Sequence, residues 1–134
     1  MKINKIFATK ENENICHIAQ FILQNLTNSK VILLNGELGS GKTTLLKQIA
    51  LLINITEPIT SPTFNYMKTY KGLVHIDAYN LSGEIDEFVD YKSDDDILAV
   101  EWPNKVNLYY TDYVLVNISL SDNNEHIFEI KVVN

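Results

Sequence analysis

The segment Val31 to Thr44, VILLNGELGSGKTT, places glycines, a lysine and threonines at the spacing a phosphate cradle requires. Gly36 is followed by four residues and then by Gly41, Lys42 and Thr43, with a further glycine at position 39. Glycines let the backbone turn tightly and aim successive N–H groups at an anion with no Cβ in the way. A lysine in this position reaches the β- and γ-phosphates of a nucleotide, and the hydroxyl that follows it ligates Mg²⁺. The expected ligands of a nucleoside triphosphate are therefore Gly36, Glu37, Leu38, Gly39, Ser40, Gly41, Lys42, Thr43 and Thr44, with Thr43 also on the metal.

A magnesium-dependent site also needs carboxylates at the carboxyl ends of nearby buried strands. Two stretches fit, Leu73-Val74-His75-Ile76-Asp77 and Ile97-Leu98-Ala99-Val100-Glu101, each an apolar run closed by an acid. Asp77 and Glu101 are the candidate metal ligands or water-positioning groups. The triplet Asp94-Asp95-Asp96 reads as a solvated loop, and His75 as a strand residue with a satisfied hydrogen bond.

These residues must be carried by a scaffold, and the apolar pattern supplies one. Val31 to Leu34 is an unbroken apolar run, as expected of a parallel strand covered on both faces. After the glycines, Leu45, Leu46, Ile49, Ala50 and Ile53 recur at helical spacing. Upstream, Lys2 to Ala8 reads as an edge strand, and Thr9 as the cap of a helix with Ile15, Ile18, Ala19, Ile22, Leu23 and Leu26 on one face. Downstream, TFNYMKTY and GLVHIDAY meet at Lys71-Gly72 as a hairpin. Leu81 to Tyr91 reads as a short helix capped by Ser82, with Ile85, Phe88 and Val89 inward. Ile97 to Val100 is a second buried strand, and Tyr113 to Leu120 and Ile127 to Val133 pair around Ser121 to Asn124. The expected fold is α/β, a P-loop NTPase-like mixed sheet with a parallel core, antiparallel strands and flanking helices.

The 134 residues suit a single domain, 1–134, with 46% hydrophobic and 21% charged residues, a globular composition. No apolar run has the roughly 18 residues of a membrane helix, and the first residues lack the apolar stretch of a secretory signal, so a cytoplasmic protein is expected. A lone cysteine, Cys16, agrees with a reducing compartment and reads as buried filler. The matches to the glycosylation pattern at Asn25, Asn54 and Asn117 carry no weight in such a chain. Net charge is −6, and the eleven basic residues are all lysines, scattered along the chain. A polyanion is not gripped by such a field. With no arginine, any guanidinium a reaction needs must come from another molecule.

Three chemistries share the glycine-rich pattern. A GTPase is disfavoured because no aspartate is followed by glycine three residues later, and Asn104-Lys105-Val106-Asn107 ends in an amide where guanine needs a carboxylate. A small-molecule kinase, which usually closes an arginine-bearing lid, is the second choice. In order along the chain, GELGSGKTT, TSPTF at Thr60 to Phe64, HIDAYNL at His75 to Leu81 and VEWP at Val100 to Pro103 resemble the TsaE (formerly YjeE) family. These are the bacterial ATPases of tRNA threonylcarbamoyladenosine synthesis, and the resemblance spans essentially the whole chain.

That resemblance implies an ATP- and Mg²⁺-dependent accessory ATPase working with a synthase subunit and its companion, TsaD- and TsaB-like, and reaching tRNA only through them. It implies a switch-like position near the γ-phosphate for Thr63, and a place beside the nucleotide or the partner for Trp102. Tyr79 is expected to pack with its hydroxyl at an edge. One departure is visible: the family usually has arginine after the tyrosine of HxDxYR, and this chain has Asn80. Loss of an arginine that serves phosphoryl transfer costs on the order of a thousandfold or more, so weak hydrolysis by the isolated chain is expected.

Overall fold

The computed structural model describes residues 2–37, 39–60, 66–79, 83–84, 90 and 92–134. Among these residues nine strands and two α-helices follow in the order β1 (Lys2–Thr9), α1 (Cys16–Gln24), β2 (Val31–Asn35), α2 (Lys42–Leu52), β3 (Met67–Tyr70), β4 (Leu73–Asp77), β5 (Gly83–Glu84), β6 (Ile97–Glu101), β7 (Val106–Asn107), β8 (Tyr113–Leu120) and β9 (His126–Val133), with a short 3-10 turn at Pro103–Lys105. Seven strands form one sheet in the order β1-β9-β8-β2-β6-β4-β3. Its centre, β8-β2-β6-β4, is parallel, and antiparallel partners close both sides, β9 and β1 on one and β3 on the other.

The burial of each strand follows from its place in this order. Residues 31–34 of β2 and all of β6 are buried, because they lie at the centre with both faces covered. In β8 and β9 only alternate residues are buried, Val114, Val116 and Ile118 on one strand and Phe128, Ile130 and Val132 on the other. That alternation marks strands with one fully buried face and a second that is only partly covered.

Both described helices pack on one face of the sheet. Ile18, Ala19 and Ile22 of α1 and Leu45, Leu46 and Ile49 of α2 meet Ile32, Leu34, Ala99 and the buried residues of β8 and β9 there. The opposite face has its own apolar layer, in which Val31, Leu33, Val74, Ile76, Leu98 and Val100 are packed against Met67, Trp102, Leu108, Tyr110 and Leu115. The N-terminal and C-terminal strands pair along their whole length, Lys2 opposite Val133 through Thr9 opposite His126.

That pairing corrects the expectation for Thr9. It is the buried last residue of β1, 2% exposed, and so belongs to the strand ladder rather than to a helix cap. The helix begins six residues after the strand ends, where Asn14 Oδ1 accepts the Cys16 N–H at 2.7 Å. Cys16 is only partly buried, so it is not the core filler its spacing suggests. The helix expected over Leu81 to Tyr91 is overturned at Gly83–Glu84, which pairs in parallel with Val106–Asn107; its remaining positions lie outside the described residues, apart from Asp90, which is in a turn.

The two expected turns form for local reasons. Gly72 adopts φ +90 between β3 and β4, a conformation costly for any side-chain-bearing residue. Between β8 and β9, the Ser121 N–H donates to the Glu125 carbonyl at 2.8 Å, and Ser121 Oγ accepts the Glu125 N–H at 3.1 Å. Asn124 takes the left-handed conformation, φ 61, that an asparagine tolerates.

Candidate functional site

The carboxyl ends of four parallel strands converge on one edge of the sheet, the position where open α/β sheets bind ligands. Asn35 ends β2, Asp77 ends β4, Glu101 ends β6 and Leu120 ends β8. Register makes the two acids neighbours. Asp77 pairs with Glu101, and Glu101 pairs on its other side with Leu34, one residue before the end of β2.

The glycine-rich segment joins β2 to α2 in a tight turn. Gly39 and Gly41 have φ +80 and +117, so both positions favour glycine. Gly36 is constrained by space instead. A Cβ there would collide with Ser40 Oγ and lie 2.9 Å from the Ile118 carbonyl oxygen. Gly41 forms the N-cap of α2 without a side-chain cap, and its carbonyl accepts the Leu45 N–H at 3.0 Å. The first-turn amides and the positive end of the helix dipole are thus left for an anion. Leu38 and Thr63 lie outside the described residues, as does Asn80.

Lys42, Thr43, Asp77, Glu101 and Trp102 line a single pocket of about 200 Å³ together with Gly41 and Thr44. Lys42 is 6% exposed. Its ammonium donates to the Gly36 carbonyl, lies 3.4 Å from the Glu37 carbonyl and sits 4.3 Å from the centre of the Trp102 ring. Burial pushes its pKa below the ordinary lysine value, while Glu101, Asp77 and Glu37 pull in the opposite direction. Asp77 is half-buried, and burial raises its pKa above the usual aspartate value; the Tyr79 N–H, donating to Asp77 Oδ1 at 3.1 Å, opposes this and the charge of Glu101 adds to it.

Glu101 is 4% exposed and its Oε2 is 2.6 Å from His75 Nε2. His75 is fully buried, and its Nδ1 has no hydrogen-bond partner among the described residues. The ring therefore serves one contact, donating Nε2–H to the carboxylate and holding one oxygen of Glu101 in place. His75 is hydrogen-bonded as its sequence position suggests, but its partner, Glu101, was not legible there.

Trp102 takes a left-handed conformation, φ 59, and donates its backbone N–H to the Leu34 carbonyl at 3.1 Å. Its ring meets Tyr79 edge-on at 5.0 Å between centroids. Tyr79 packs as expected, although 46% of its surface is exposed. Asp94 and Asp95 are exposed, and Asp96 Oδ2 accepts the Ser93 N–H at 3.0 Å, as a solvated loop would.

Sequence reasoning missed two further groups around the loop. A cleft of about 630 Å³ lies between the loop, Trp102 and the end of β8, with Asn35, Asn104 and Asn117 in its walls. A smaller cavity of about 160 Å³ lies past Gly41 and Thr44, bounded by Glu11, Glu13, His126 and Phe128. Scattered asparagines and a histidine at the head of a strand carry no spacing signal that could have marked them.

The raised pKa of Asp77 has a consequence for stability. A carboxyl whose folded pKa lies above its unfolded value contributes stability below the unfolded value and loses it as pH rises through the folded one. Charged Asp77 thus costs stability at neutral pH. Asp77→Asn, which keeps the Oδ1 acceptor for Tyr79, is expected to raise the midpoint of thermal unfolding slightly at pH 7. Its advantage over the wild type should close as pH falls through the range just above the usual aspartate value. Unfolding followed by circular dichroism at pH 7 and pH 4 checks this.

A family model described as "Threonylcarbamoyl adenosine biosynthesis protein TsaE" matches residues 9–130. The chain belongs to the TsaE family. It is 31% identical to the tRNA threonylcarbamoyladenosine biosynthesis protein TsaE of a Nostoc strain, over 99% of this chain and 88% of the relative. The protein of the same name from Aquifex aeolicus is 37% identical over 78% of this chain and 81% of its own. In fold, the chain resembles the crystal structure of Bacillus subtilis YdiB, with a TM-score of 0.77 at 22% identity, covering 100% of this chain and 88% of that one. The resemblance seen in four short motifs thus extends to the family at nearly full length. No described helix of this TsaE-family chain is long and apolar enough to cross a membrane.

Proposed function

We propose that this chain is a single-domain cytoplasmic ATPase of tRNA threonylcarbamoyladenosine modification, binding Mg-ATP at Gly36 to Thr44 and hydrolysing it slowly on its own. One observation carries the reading: a buried lysine, a threonine and two strand-end carboxylates share one small pocket at the uncapped start of α2. Lys42 holds the β- and γ-phosphates, and the first-turn amides take the remaining phosphate charge. Gly41 and Thr44 border both this pocket and the cavity beside Glu11, His126 and Phe128, whose residues would hold the ribose and base.

The residues fit a magnesium ion by their chemistry. Thr43, Asp77 and Glu101 offer only oxygen donors, and Mg²⁺ typically takes one or two carboxylates together with substrate phosphates. Bound there, the ion would neutralise charge on the phosphate oxygens. His75 restrains Glu101 against rotation, and the fixed carboxylate is free to hold the metal or orient the attacking water. Thr63 is assigned to the switch segment that senses the γ-phosphate, and Trp102 closes the pocket at the side a partner would approach.

The lack of arginine, with Asn80 in place of the family's arginine, means that cationic help in hydrolysis comes in trans. We assign that contribution to the synthase subunit and its companion, TsaD- and TsaB-like, with tRNA held by them rather than by this acidic chain. Steady-state phosphate release from Mg-ATP, with and without the organism's own pair, tests the reading. Stimulation by one to several orders of magnitude, toward the roughly thousandfold worth of an arginine finger, is expected. An unstimulated rate would point to a nucleotide-dependent binding switch. A phosphorylated small molecule would make the 630 Å³ cleft the acceptor site of a kinase.

A further inference from the structure

We propose that His126 is a positioning residue for the glycine-rich loop, locking the Ser40–Gly41 peptide so that the Gly41 N–H faces the phosphates; this rests on the nucleotide reading above. His126 opens β9, opposite both Thr9 of β1 and Leu120 of β8, so the sheet itself holds its backbone. The side chain is 15% exposed, and its Nδ1 is 2.7 Å from the Ser40 carbonyl oxygen. A carbonyl only accepts, so Nδ1 carries the proton and donates it. On the other side of the ring, Nε2 lies 3.2 Å from the exposed carboxylate of Glu11 in the β1–α1 connection, which also only accepts, so both contacts are hydrogen bonds together only on a ring that carries both protons.

The carbonyl of Ser40 and the N–H of Gly41 belong to the same peptide unit. In a trans peptide they point in opposite directions, so a carbonyl held toward β9 sends the N–H the other way, into the loop. Such a brace is needed at this position. Gly41 has no Cβ to resist rotation of the unit, and its φ of +117 lies where only glycine moves freely. The Ser40 side chain is anchored on the loop's inner side, 6% exposed and packed against Gly36, with its Oγ lacking a hydrogen-bond partner among the described residues. Steric packing holds that side chain, while the hydrogen bond from His126 sets the peptide plane. The phosphate loop is thus tied to the antiparallel flank of the sheet, through a residue 86 positions away.

Asparagine and glutamine separate the donor from the ring. The Asn amide nitrogen is attached to Cγ, as Nδ1 is, so His126→Asn can still reach Ser40; His126→Gln places its amide one bond further out, as Nε2 is. The experiment is titration calorimetry with ADP on the wild type and the Ala, Asn and Gln variants, each verified as folded by circular dichroism, with Lys42→Ala as reference. Proton exchange at the Gly41 amide is followed by NMR in the same samples. Loss of the one hydrogen bond is expected to weaken ADP binding about three- to tenfold in Ala and Gln, against less than about twofold for Asn. Gly41 exchange should quicken in Ala and Gln alone. Wild-type affinity in His126→Ala, or an Asn variant as weak as Ala, would overturn the brace. If Lys42→Ala loses affinity while His126→Ala does not, only the brace fails; if neither variant loses affinity, the nucleotide reading fails with it.

Discussion

Lys42→Ala is expected to lower ATP affinity by roughly ten- to a hundredfold and to reduce phosphate release to the level of the buffer blank. A lysine ammonium makes charge-assisted hydrogen bonds to phosphate, each worth about 1.5–3 kcal/mol. In this chain the effect should lie toward the upper end, since Lys42 is the described basic residue that lines the pocket and it is buried there. A cation in a water-poor site interacts more strongly with its partner than one in solvent. The same substitution removes the donor from the Gly36 carbonyl and the cation from the face of Trp102. Equilibrium binding of a fluorescent ATP analogue, beside a phosphate-release assay, measures both losses. Affinity retained within a factor of two would show that the loop's backbone alone carries the phosphates.

Glu101→Gln is expected to abolish most hydrolysis, about a hundredfold or more, with a much smaller effect on nucleotide affinity. The substitution is close to isosteric, and the amide oxygen of glutamine can accept the His75 Nε2–H that the carboxylate now accepts at 2.6 Å. The fold should therefore survive, and only the charge is lost. That charge has two tasks in the proposed reaction. It offers a hard oxygen to the metal or the attacking water, and it is the largest of the influences supporting the protonated form of Lys42. Single-turnover hydrolysis with excess protein separates the chemical step from binding, and a Mg²⁺ titration of the rate separates a metal role from a water role. A rise in the magnesium requirement assigns Glu101 to the metal; a lower rate at saturating magnesium assigns it to the water. Unchanged hydrolysis would reduce Glu101 to a structural partner of His75.

Local rules carried the reading a long way. The strand Val31–Asn35, the glycine turn and the helix starting at Lys42 are contiguous, so hydrophobic period and glycine spacing were enough to place them. The β8–β9 hairpin was legible for the same reason, with its alternating strands on either side of a polar turn. Failures occurred where a distant partner decided the outcome. Thr9 has a good capping side chain, yet its backbone is committed to His126 across the sheet. Gly83–Glu84 joined a small parallel pair with residues more than twenty positions downstream, a contact that no helical period can reveal.

The candidate site divides in the same way. By itself the sequence determined the residue types: a lysine and a threonine after glycines, two acids at strand ends, no arginine anywhere, and four motifs in the order of one family. These depend on side-chain chemistry and short spacing, which a linear chain displays. Tertiary structure alone decided that Asp77 and Glu101 are adjacent, because strand order set β4 beside β6. It also decided that His75 grips Glu101 and that His126 holds the Ser40 carbonyl. Contacts between residues 26 and 86 positions apart exist only after loops have closed and strands have chosen their neighbours, and nothing in the local pattern of either partner encodes that choice.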